Sequence, residues 1–241
     1  HIGDIEIRQK TAPALLKNTQ LGFKFSFMLD KVDFSISYFH GYPKSSAMKL
    51  TEIGISAGKL VIIPINEKVN TIGADFAFSV VGISFRGEIT YTFSKLNFTK
   101  IELTNLPTAE YSPELSYVIE ADYKIYKELR IFLTFTSTHI LVNGYKFEEP
   151  MFANLLNFII LDRFFDNKWG IYGQVSWKIS DMSAMIKLET DFDFQNGFVI
   201  TFGTYIFLGE KTTLFGEFSS NNLVYLNAKY TIYNSYKRCY N

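Results

Sequence analysis

Charged residues recur at alternate positions along much of this chain, and this spacing is the first feature that could carry chemistry. Arg86 and Glu88 are two residues apart in FRGEITYTF, and Asp191 and Asp193 are two apart in ETDFDF. Residues i and i+2 lie on the same face of a β-strand, so each pair would project charge to one side of a sheet. Rings of charge set ion selectivity when they line a pore. The spacing therefore predicts a charge-lined surface, with Arg86 and Glu88 as its most influential residues.

Residues suited to catalysis are few. The histidines are His1, His40 and His139, and no two of them have the spacing of metal ligands. The single cysteine, Cys239, can form neither an intrachain disulfide nor a metal set. We interpret Asp191 and Asp193 as part of a row of charge and not as a catalytic pair. The chain is thus expected to hold no hydrolase nucleophile, metal or cofactor, and not to be an enzyme.

Composition favours β-structure and gives no reason to expect nucleic acid as a partner. The 241 residues carry no net formal charge and give a pI near 7.0, so there is no basic surface to attract phosphates. Aromatic residues make up 17% of the chain, with 24 Phe and 15 Tyr, and such residues are enriched in strands. A transmembrane helix is not expected, because no run of about 18 apolar residues occurs.

The elements that must position these charges are amphipathic strands. In the stretch 71–93, Ile72, Ala74, Phe76 and Phe78 alternate with small or polar residues, and the pattern resumes after Val81. This alternation predicts a β-hairpin with one apolar and one polar face. Nearly the whole chain repeats it, which leaves no second layer to cover the apolar faces. The sequence therefore predicts an all-β protein: an antiparallel, up-and-down transmembrane β-barrel whose outer face contacts lipid.

Eleven strands are clear in the pattern, and residues 1–8 would make a twelfth. We expect short turns near residues 30, 81, 127 and 181, and long connections at 41–70, 94–113 and 139–168. Lys59 to Ile65 could form a strand inside the first connection or extend the wall. The segment 151–165, MFANLLNFIILDRFF, is predicted to be a short helix, capping the barrel or folding into it as a constriction. Residues 214–219 are predicted to be a strand.

The polar face holds charges of both signs. A Lys or Arg at the bilayer midplane costs about 2–4 kcal/mol, so these side chains are expected to face the lumen. The predicted pore-lining residues are Lys24, Asp33, Asp75, Arg86, Glu88, Glu120, Asp122, Lys124, Arg130, Lys178, Lys187, Glu189, Asp191, Asp193, Glu217 and Lys229.

Aromatic residues on the apolar face are expected to form the girdles found at both membrane interfaces of such barrels. The predicted girdle residues are Tyr38, Tyr91, Phe93, Tyr117, Tyr123, Trp169, Trp177, Phe192 and Tyr230.

Three segments carry a family resemblance: GFKFSFMLDKVDFSISYFHGY, IGADFAFSVVGISFRGEITYTF and LSYVIEADYKIYKELRIFLTF. They resemble the strand pairs of a large family of porin-like outer-membrane barrels from diderm bacteria, similar to alginate-export-type porins. The sharpest piece is the hairpin with Ile72 to Phe76 and Arg86 to Glu88. The resemblance implies an integral protein of the bacterial outer membrane. Because family members are longer, we expect this chain to be the C-terminal portion of a larger barrel.

The expected organisation is one barrel domain over residues 1–241, with a partial strand and loop at 1–19 and a tail at 234–241. Its partners would be outer-membrane lipid and lipopolysaccharide, the barrel-assembly machinery, and small solutes or ions. The favoured function is a porin-like channel with a charged lumen. The alternative is a non-conducting barrel that serves as a structural anchor or a surface-binding protein. A soluble β-sandwich or lipocalin-like carrier is a weaker third possibility, because the second face is too charged for an interior.

Overall fold

The fold comes from a computed structural model, which describes residues 5–7, 19–43, 49–50, 54–56, 59–62, 64–65, 68–100, 107–141 and 152–231. In these ranges every regular element is a β-strand, apart from one 3-10 turn at Gly216–Phe218. None of the described segments is a helix of the length and apolarity needed to cross a membrane. The all-β prediction is confirmed.

Eleven strands form one antiparallel sheet, and each pairs with the strands that precede and follow it in this series. The series is β2 (Leu21–Met28), β3 (Val32–Gly41), β8 (Val69–Val80), β9 (Ile83–Lys100), β10 (Pro107–Tyr126), β11 (Leu129–Ile140), β12 (Phe152–Phe164), β13 (Trp169–Lys178), β14 (Ser183–Asp193), β15 (Phe198–Leu208) and β16 (Leu223–Tyr230). The predicted up-and-down order is therefore confirmed. Among the described residues the sheet is not closed, since β2 and β16 each have one neighbour.

The short strands near the start of the chain lie outside this sheet. β1 (Ile5–Ile7) pairs in parallel with β6 (Lys59–Ile62), which also pairs with β5 (Gly54–Ser56). β4 (Lys49–Leu50) pairs with β7 (Pro64–Ile65). Of residues 1–8, which were predicted to make a twelfth wall strand, the structure describes Ile5–Ile7, and this strand pairs with β6 and not with the main sheet.

The segment 152–164 is a strand, so the predicted helix over 151–165 is wrong. β12 pairs with β13 from Leu155, opposite Lys178, to Phe164, opposite Trp169. Both faces of this strand are largely apolar: Leu156 and Phe158 lie on one face, and Leu155 and Ile159 on the other. An apolar run without alternation fits a strand and a helix equally well, and here the pairing with β13 decides the structure.

Residues 214–219 do not form the predicted strand. The backbone closes turns there, with Thr213 N–H donating to Glu210 O at 2.9 Å and Glu217 N–H to Thr213 O at 3.1 Å. The predicted long connection at 94–113 is also too long, because β9 continues to Lys100 and β10 begins at Pro107. The count of eleven strands survives only because β12 replaces the strand predicted over 214–219.

Connections at the two ends of the sheet differ in length. One end has turns at 29–31, 81–82, 127–128, 165–168 and 194–197, and the other has connections at 42–68, 101–106, 141–151, 179–182 and 209–222. The predicted order of short turns and long connections would put the turns near 30, 81, 127 and 181 at one end of the sheet. Because β12 adds a strand, the turn near 181 lies at the opposite end from the other three. At 81–82, Val81 (φ 50°) and Gly82 (φ 79°) both have positive φ, as a two-residue type I′ hairpin turn requires.

Contacts group the chain into two compact units. Unit 1 comprises His1–Phe78, Arg86–Ile119 and Thr136–Ala153, and unit 2 comprises Ser79–Phe85, Glu120–Phe135 and Asn154–Asn241. In both units, burial is inverted relative to a soluble domain. Among the described side chains the buried apolar ones are Val69 and Ile140. The buried polar ones are Ser35, Ser112, Asp122, Ser137, Ser176 and Ser183.

Most of the large exposed apolar side chains lie on one face of the sheet. In unit 1, Phe25 opposes Ile36 and is 67% exposed. In unit 2, Phe202 opposes Leu226, and their exposures are 51% and 73%. We call this the apolar face, and the opposite one, which carries Lys24 in unit 1 and Lys187 in unit 2, the polar face.

Candidate functional site

In unit 1 the polar face brings together predicted charges from β2, β3 and β8. Ser35 lies opposite Asp75, and Lys24 lies opposite Ser37, the next position along that face of β3. Lys24 Nζ is 2.9 Å from Asp75 Oδ2, and the Ser35 hydroxyl donates to the same oxygen. The Lys24 and Asp75 side chains are 57% and 41% exposed. This ion pair is therefore well solvated and is worth roughly 0–1 kcal/mol.

A second ion pair lies on the β10–β11 hairpin in unit 2. Arg130 Nη2 is 2.7 Å from Asp122 Oδ2, and the Arg130 guanidinium lies 5.3 Å from the centroid of the Phe132 ring. The Asp122 side chain is nearly buried, and its Oδ1 atom has no hydrogen-bond partner among the described residues. Lys124, another predicted pore-lining residue, instead reaches the turn residue Glu128 at 3.4 Å. Only Asp122 is therefore strongly desolvated in this group.

The densest arrangement is on β13 to β16 of unit 2. Lys187 Nζ is 2.7 Å from Glu189 Oε2 and lies over the rings of Tyr172 and Tyr205, at 5.0 and 5.4 Å from their centroids. The Tyr225 hydroxyl donates to Glu189 Oε1. We call Tyr172, Lys187, Glu189, Tyr205 and Tyr225 the lysine cluster. Both charges are about four-fifths buried, which is possible because aromatic faces and a carboxylate surround the ammonium group.

Gly203 makes the lysine cluster possible. It lies on β15 between Glu189 on β14 and Tyr225 on β16, in register with both. A Cβ atom at Gly203 would overlap the Tyr225 ring. Because Gly203 has no side chain, the Tyr225 ring can lie across β15 and reach a carboxylate two strands away.

A glycine also permits a contact between non-neighbouring strands in the adjacent row of residues on the polar face. Gly170 on β13 lies between Arg163 on β12 and Asp191 on β14, and a Cβ atom there would collide with the Asp191 carboxylate. Arg163 Nη2 lies 3.3 Å from Asp191 Oδ2, and Arg163 Nη1 donates to the Asn167 carbonyl oxygen at 3.1 Å. In both rows, a glycine permits a charged contact between strands that are not neighbours.

A pocket of about 390 Å³ opens on the polar face at these two rows. It lies entirely within unit 2. Its lining includes Leu161 and Arg163 of β12, Gly170 and Tyr172 of β13, Glu189 and Asp191 of β14, and Val199 and Thr201 of β15.

At the end of the sheet away from these rows, Asp181 anchors the connection 209–222. Its Oδ2 atom accepts from the Leu214 N–H at 3.0 Å, and its Oδ1 atom accepts from the Ser183 hydroxyl at 2.6 Å. Lys178, a predicted pore-lining residue, lies 3.3 Å from Asp181 Oδ2. Burial alone would raise the pKa of the Asp181 carboxyl, but hydrogen bonds from Ser183, Leu214 and Lys178 outweigh it and hold that pKa below its usual value.

The remaining predicted residues divide by element. Asp33 shares the polar face with Asp75, and Asp193 and Lys229 lie on the polar face beyond the pocket, each opposite Val199. The charged residues Arg86 and Glu88 are exposed on β9, and Glu120 lies on β10. Glu217 does not lie on a strand but in the 3-10 turn Gly216–Phe218, because the strand predicted there is absent.

The predicted girdle residues with a known register lie on the apolar face. Trp169 opposes Phe192 where β13 begins, and Trp177 opposes Ala184 near its end. Tyr38 opposes Ile72, and Tyr230 opposes Phe198. The others lie on β9 and β10; Tyr91 packs edge-on against Phe93 and Tyr117 stacks on His139, while Tyr123 is exposed.

Sequence reasoning missed Arg163, Tyr205 and Tyr225. Arg163 lies within the helix predicted over 151–165, and a helix in that position gives no strand face on which to place it. The two tyrosines occupy polar-face positions within apolar stretches, at Tyr205 in TYIF and Tyr225 in LVYL, so a strict count of alternate positions could have found them.

One motif bears on the expectation that the chain holds no hydrolase nucleophile. GISAG at residues 54–58 matches G-x-S-x-G. In hydrolases that motif places the serine at a sharp turn from a strand into a helix. Here Ser56 ends β5 and opposes Lys59 of β6, so the motif joins two antiparallel strands. Its structural context therefore differs from that of a hydrolase nucleophile.

A second serine lies beside a histidine on β11. Ser137 Oγ is 2.7 Å from His139 Nε2, and Tyr117 stacks on the His139 ring with 5.6 Å between centroids. The Ser137 side chain has no exposed surface, so a substrate could not reach its hydroxyl.

Comparison of the sequence with protein-family models gives no match, and comparison with curated proteins gives none either.

Proposed function

We propose that this chain is a porin-like protein of the bacterial outer membrane, in which the polar face lines a channel for ions or small solutes. The observation that carries the proposal is the inverted burial. Large apolar side chains are exposed along the main sheet, while the buried residues are mostly small and polar. Exposed apolar patches of this extent are rare in soluble monomers. Lipid is the surrounding in which such a face is stable, and β-strands can cross lipid only in a closed barrel.

Strand dimensions support the same proposal. Trp169 and Trp177 lie near the two ends of β13 on the apolar face. Eight residues at ~3.3 Å each, with a strand tilt of about 40°, span roughly 20 Å of height. This approaches the apolar band of about 25 Å that aromatic girdles flank in outer-membrane barrels. Apart from the short turn at 179–182, the short turns at one end of the sheet and the longer connections at the other also match the pattern of these proteins.

Closure of the barrel requires that β2 and β16 each gain a second neighbour. The main sheet has eleven alternating strands, so β2 and β16 run in the same direction. An all-antiparallel barrel needs an even number of strands. Closure therefore requires an odd number of additional strands, of which one is the smallest, or a parallel pairing between β2 and β16.

A second candidate is a non-conducting barrel that acts as an anchor or a surface-binding protein. The lysine cluster favours it, because five side chains from four strands join on the polar face and occupy space that a channel would leave to water. The two candidates differ in whether the lumen passes ions.

Planar-bilayer recording of the refolded chain tests the channel. We expect discrete conductance steps, with ion preference shifting toward cations in Arg86→Gln and toward anions in Glu88→Gln. Lys31→Gln, in the turn 29–31, is the matched control and should behave as the wild type. A folded, detergent-embedded protein that gives no steps would exclude the channel and leave the anchor. A monomer that stays soluble without detergent would exclude both.

A further inference from the structure

We propose that the pocket beside the lysine cluster is a binding site for a neutral, hydroxyl-rich solute, such as a saccharide ring. This inference rests on the proposed function, since it names the class of solute that the polar face would pass. It also makes a claim that can be tested without conductance. The size of the pocket, its charge balance and the mixture of side chains in its wall favour a solute of this class.

The size of the pocket suits a small organic solute better than a bare ion. Its volume of about 390 Å³ lies at the small end of the range of roughly 300–1,000 Å³ that small-molecule sites occupy. Gly170 belongs to the lining, and its missing side chain leaves room for the Asp191 carboxylate that borders the pocket. An inorganic ion would leave most of this space to water.

The charge balance favours a neutral solute. The pocket lining includes the carboxyl-bearing residues Asp162, Glu189 and Asp191 and the guanidinium of Arg163. Glu189 and Asp191 already have cationic partners, Lys187 at 2.7 Å and Arg163 at 3.3 Å respectively. Asp162 lies on the apolar face of β12, and its Oδ1 atom accepts from the Arg163 backbone N–H at 2.7 Å. A charged ligand would have to compete with these fixed pairs. A hydroxyl group can bind to the lone pairs and N–H donors that these ion pairs do not use, because a carboxylate offers about four lone-pair sites and a guanidinium offers five N–H donors.

The wall also offers apolar surface to the same ligand. Leu161, Val199 and the ring of Tyr172 border the charged groups, and the hydroxyl of Thr201 adds a donor and an acceptor. A sugar ring has C–H faces and a rim of hydroxyls, so it complements a wall that mixes apolar and hydrogen-bonding groups. Arg163 is held by Asp191 and by the Asn167 carbonyl oxygen, and this fixes part of the site before the ligand binds.

Isothermal titration of the detergent-folded chain with glucose and maltose tests the site. We expect saturable binding of at least one of these sugars. Glucosamine and glucuronate, which carry opposite charges on a similar ring, should each bind about tenfold or more weakly. Asp191→Asn should weaken sugar binding by about tenfold, since charged hydrogen bonds contribute most. Thr201→Val is a smaller change than Asp191→Asn, because it leaves every ion pair intact. It should weaken sugar binding about threefold.

The matched control is Asp75→Asn, which removes a polar-face carboxylate in unit 1, outside the pocket. It should leave sugar binding unchanged. Absence of sugar binding by the folded wild type would overturn the proposal, and so would tighter binding of a charged analogue or equal binding by all variants. A conducting protein that binds no sugar would refute this site alone. A protein that binds sugar but gives no conductance would refute the channel alone.

Discussion

At the scale of single residues, two glycines determine which charges meet on the polar face. Gly170 and Gly203 each lie between two side chains that contact one another across the intervening strand. The alternation in sequence correctly places Glu189 and Asp191 on one face. It cannot predict their partners, because a contact across a glycine depends on register between three strands, and register is not encoded in any one of them.

Among the charged residues at the strand ends, Asp181 is the one whose ionisation should contribute most to the free energy of unfolding. We expect Asp181→Asn to lower the free energy of unfolding by about 1–3 kcal/mol at pH 7, because charged hydrogen bonds to Ser183 and Leu214 are lost. Urea unfolding in detergent, followed by circular dichroism, measures this. Asp166→Asn is the control, since Asp166 bonds Gln195 through its backbone oxygen, and it should unfold as the wild type does.

The effect of Asp181→Asn on the free energy of unfolding should depend on pH. The pKa of Asp181 is lowered by folding, so its contribution is present above the unfolded-state pKa of about 3.9. That contribution is lost as the pH falls through the lower, folded-state pKa. The difference between wild type and Asp181→Asn should therefore be constant from pH 7 to about pH 5 and shrink below about pH 4. A difference that persists unchanged at lower pH would show that the carboxylate's charge is not what anchors 209–222.

At the scale of elements, the sequence predicts strands well where one face is polar and poorly where neither face is. β13 and β14 alternate clearly, and their predicted faces agree with the observed register. β12 is apolar on both faces and was predicted to be a helix. The opposite error occurs at 214–219, where an alternating stretch forms turns, because Leu214 and Phe215 donate their N–H groups to Asp181 and Ser183 instead of to a strand.

A spin-label scan of residues 155–162 tests the assignment of β12 in lipid. We expect collisions with oxygen to peak at the labels on Leu156, Phe158 and Ile160, and collisions with a water-soluble nickel reagent to peak at the positions between them. The reason is that successive strand residues face opposite sides of the sheet. The scan needs Cys239→Ser as background, and the same scan of 171–178 on β13 is the control. A repeat of three to four residues would instead indicate a helix.

At the scale of the whole molecule, the sequence alone predicts the class and order of the fold, but not its completion. An apolar face on nearly every strand predicts a single meander, and the sheet has that order. The place of Ile5–Ile7 could not be predicted, because three residues carry too little alternation to favour the main sheet over β6. Barrel closure depends on pairing between distant parts of the chain, which local patterns do not report.

The distribution of charge over the whole molecule gives a last prediction. The chain has no net charge, and acids on the polar face pair with bases, as in Lys24–Asp75, Asp122–Arg130 and Lys187–Glu189. If the polar face lines the channel, these pairs cancel at the distances over which a passing ion senses them. We therefore expect nearly equal permeability to K⁺ and Cl⁻, measured as a reversal potential close to zero in a KCl gradient.

Removing one charge of an exposed ion pair should create an ion preference, and removing the partner charge as well should abolish that preference. Lys24→Gln leaves the Asp75 carboxylate unbalanced and should favour K⁺ by about two- to fivefold, because a unit charge acting through water over about 4 to 10 Å contributes about 0.4 to 1 kcal/mol. Asp75→Asn should favour Cl⁻ to a similar extent. The double variant should return to the wild-type value, since it restores neutrality without restoring the contact. A double variant that keeps the preference of either single change would show that the geometry of the pair, and not its charge balance, controls permeation.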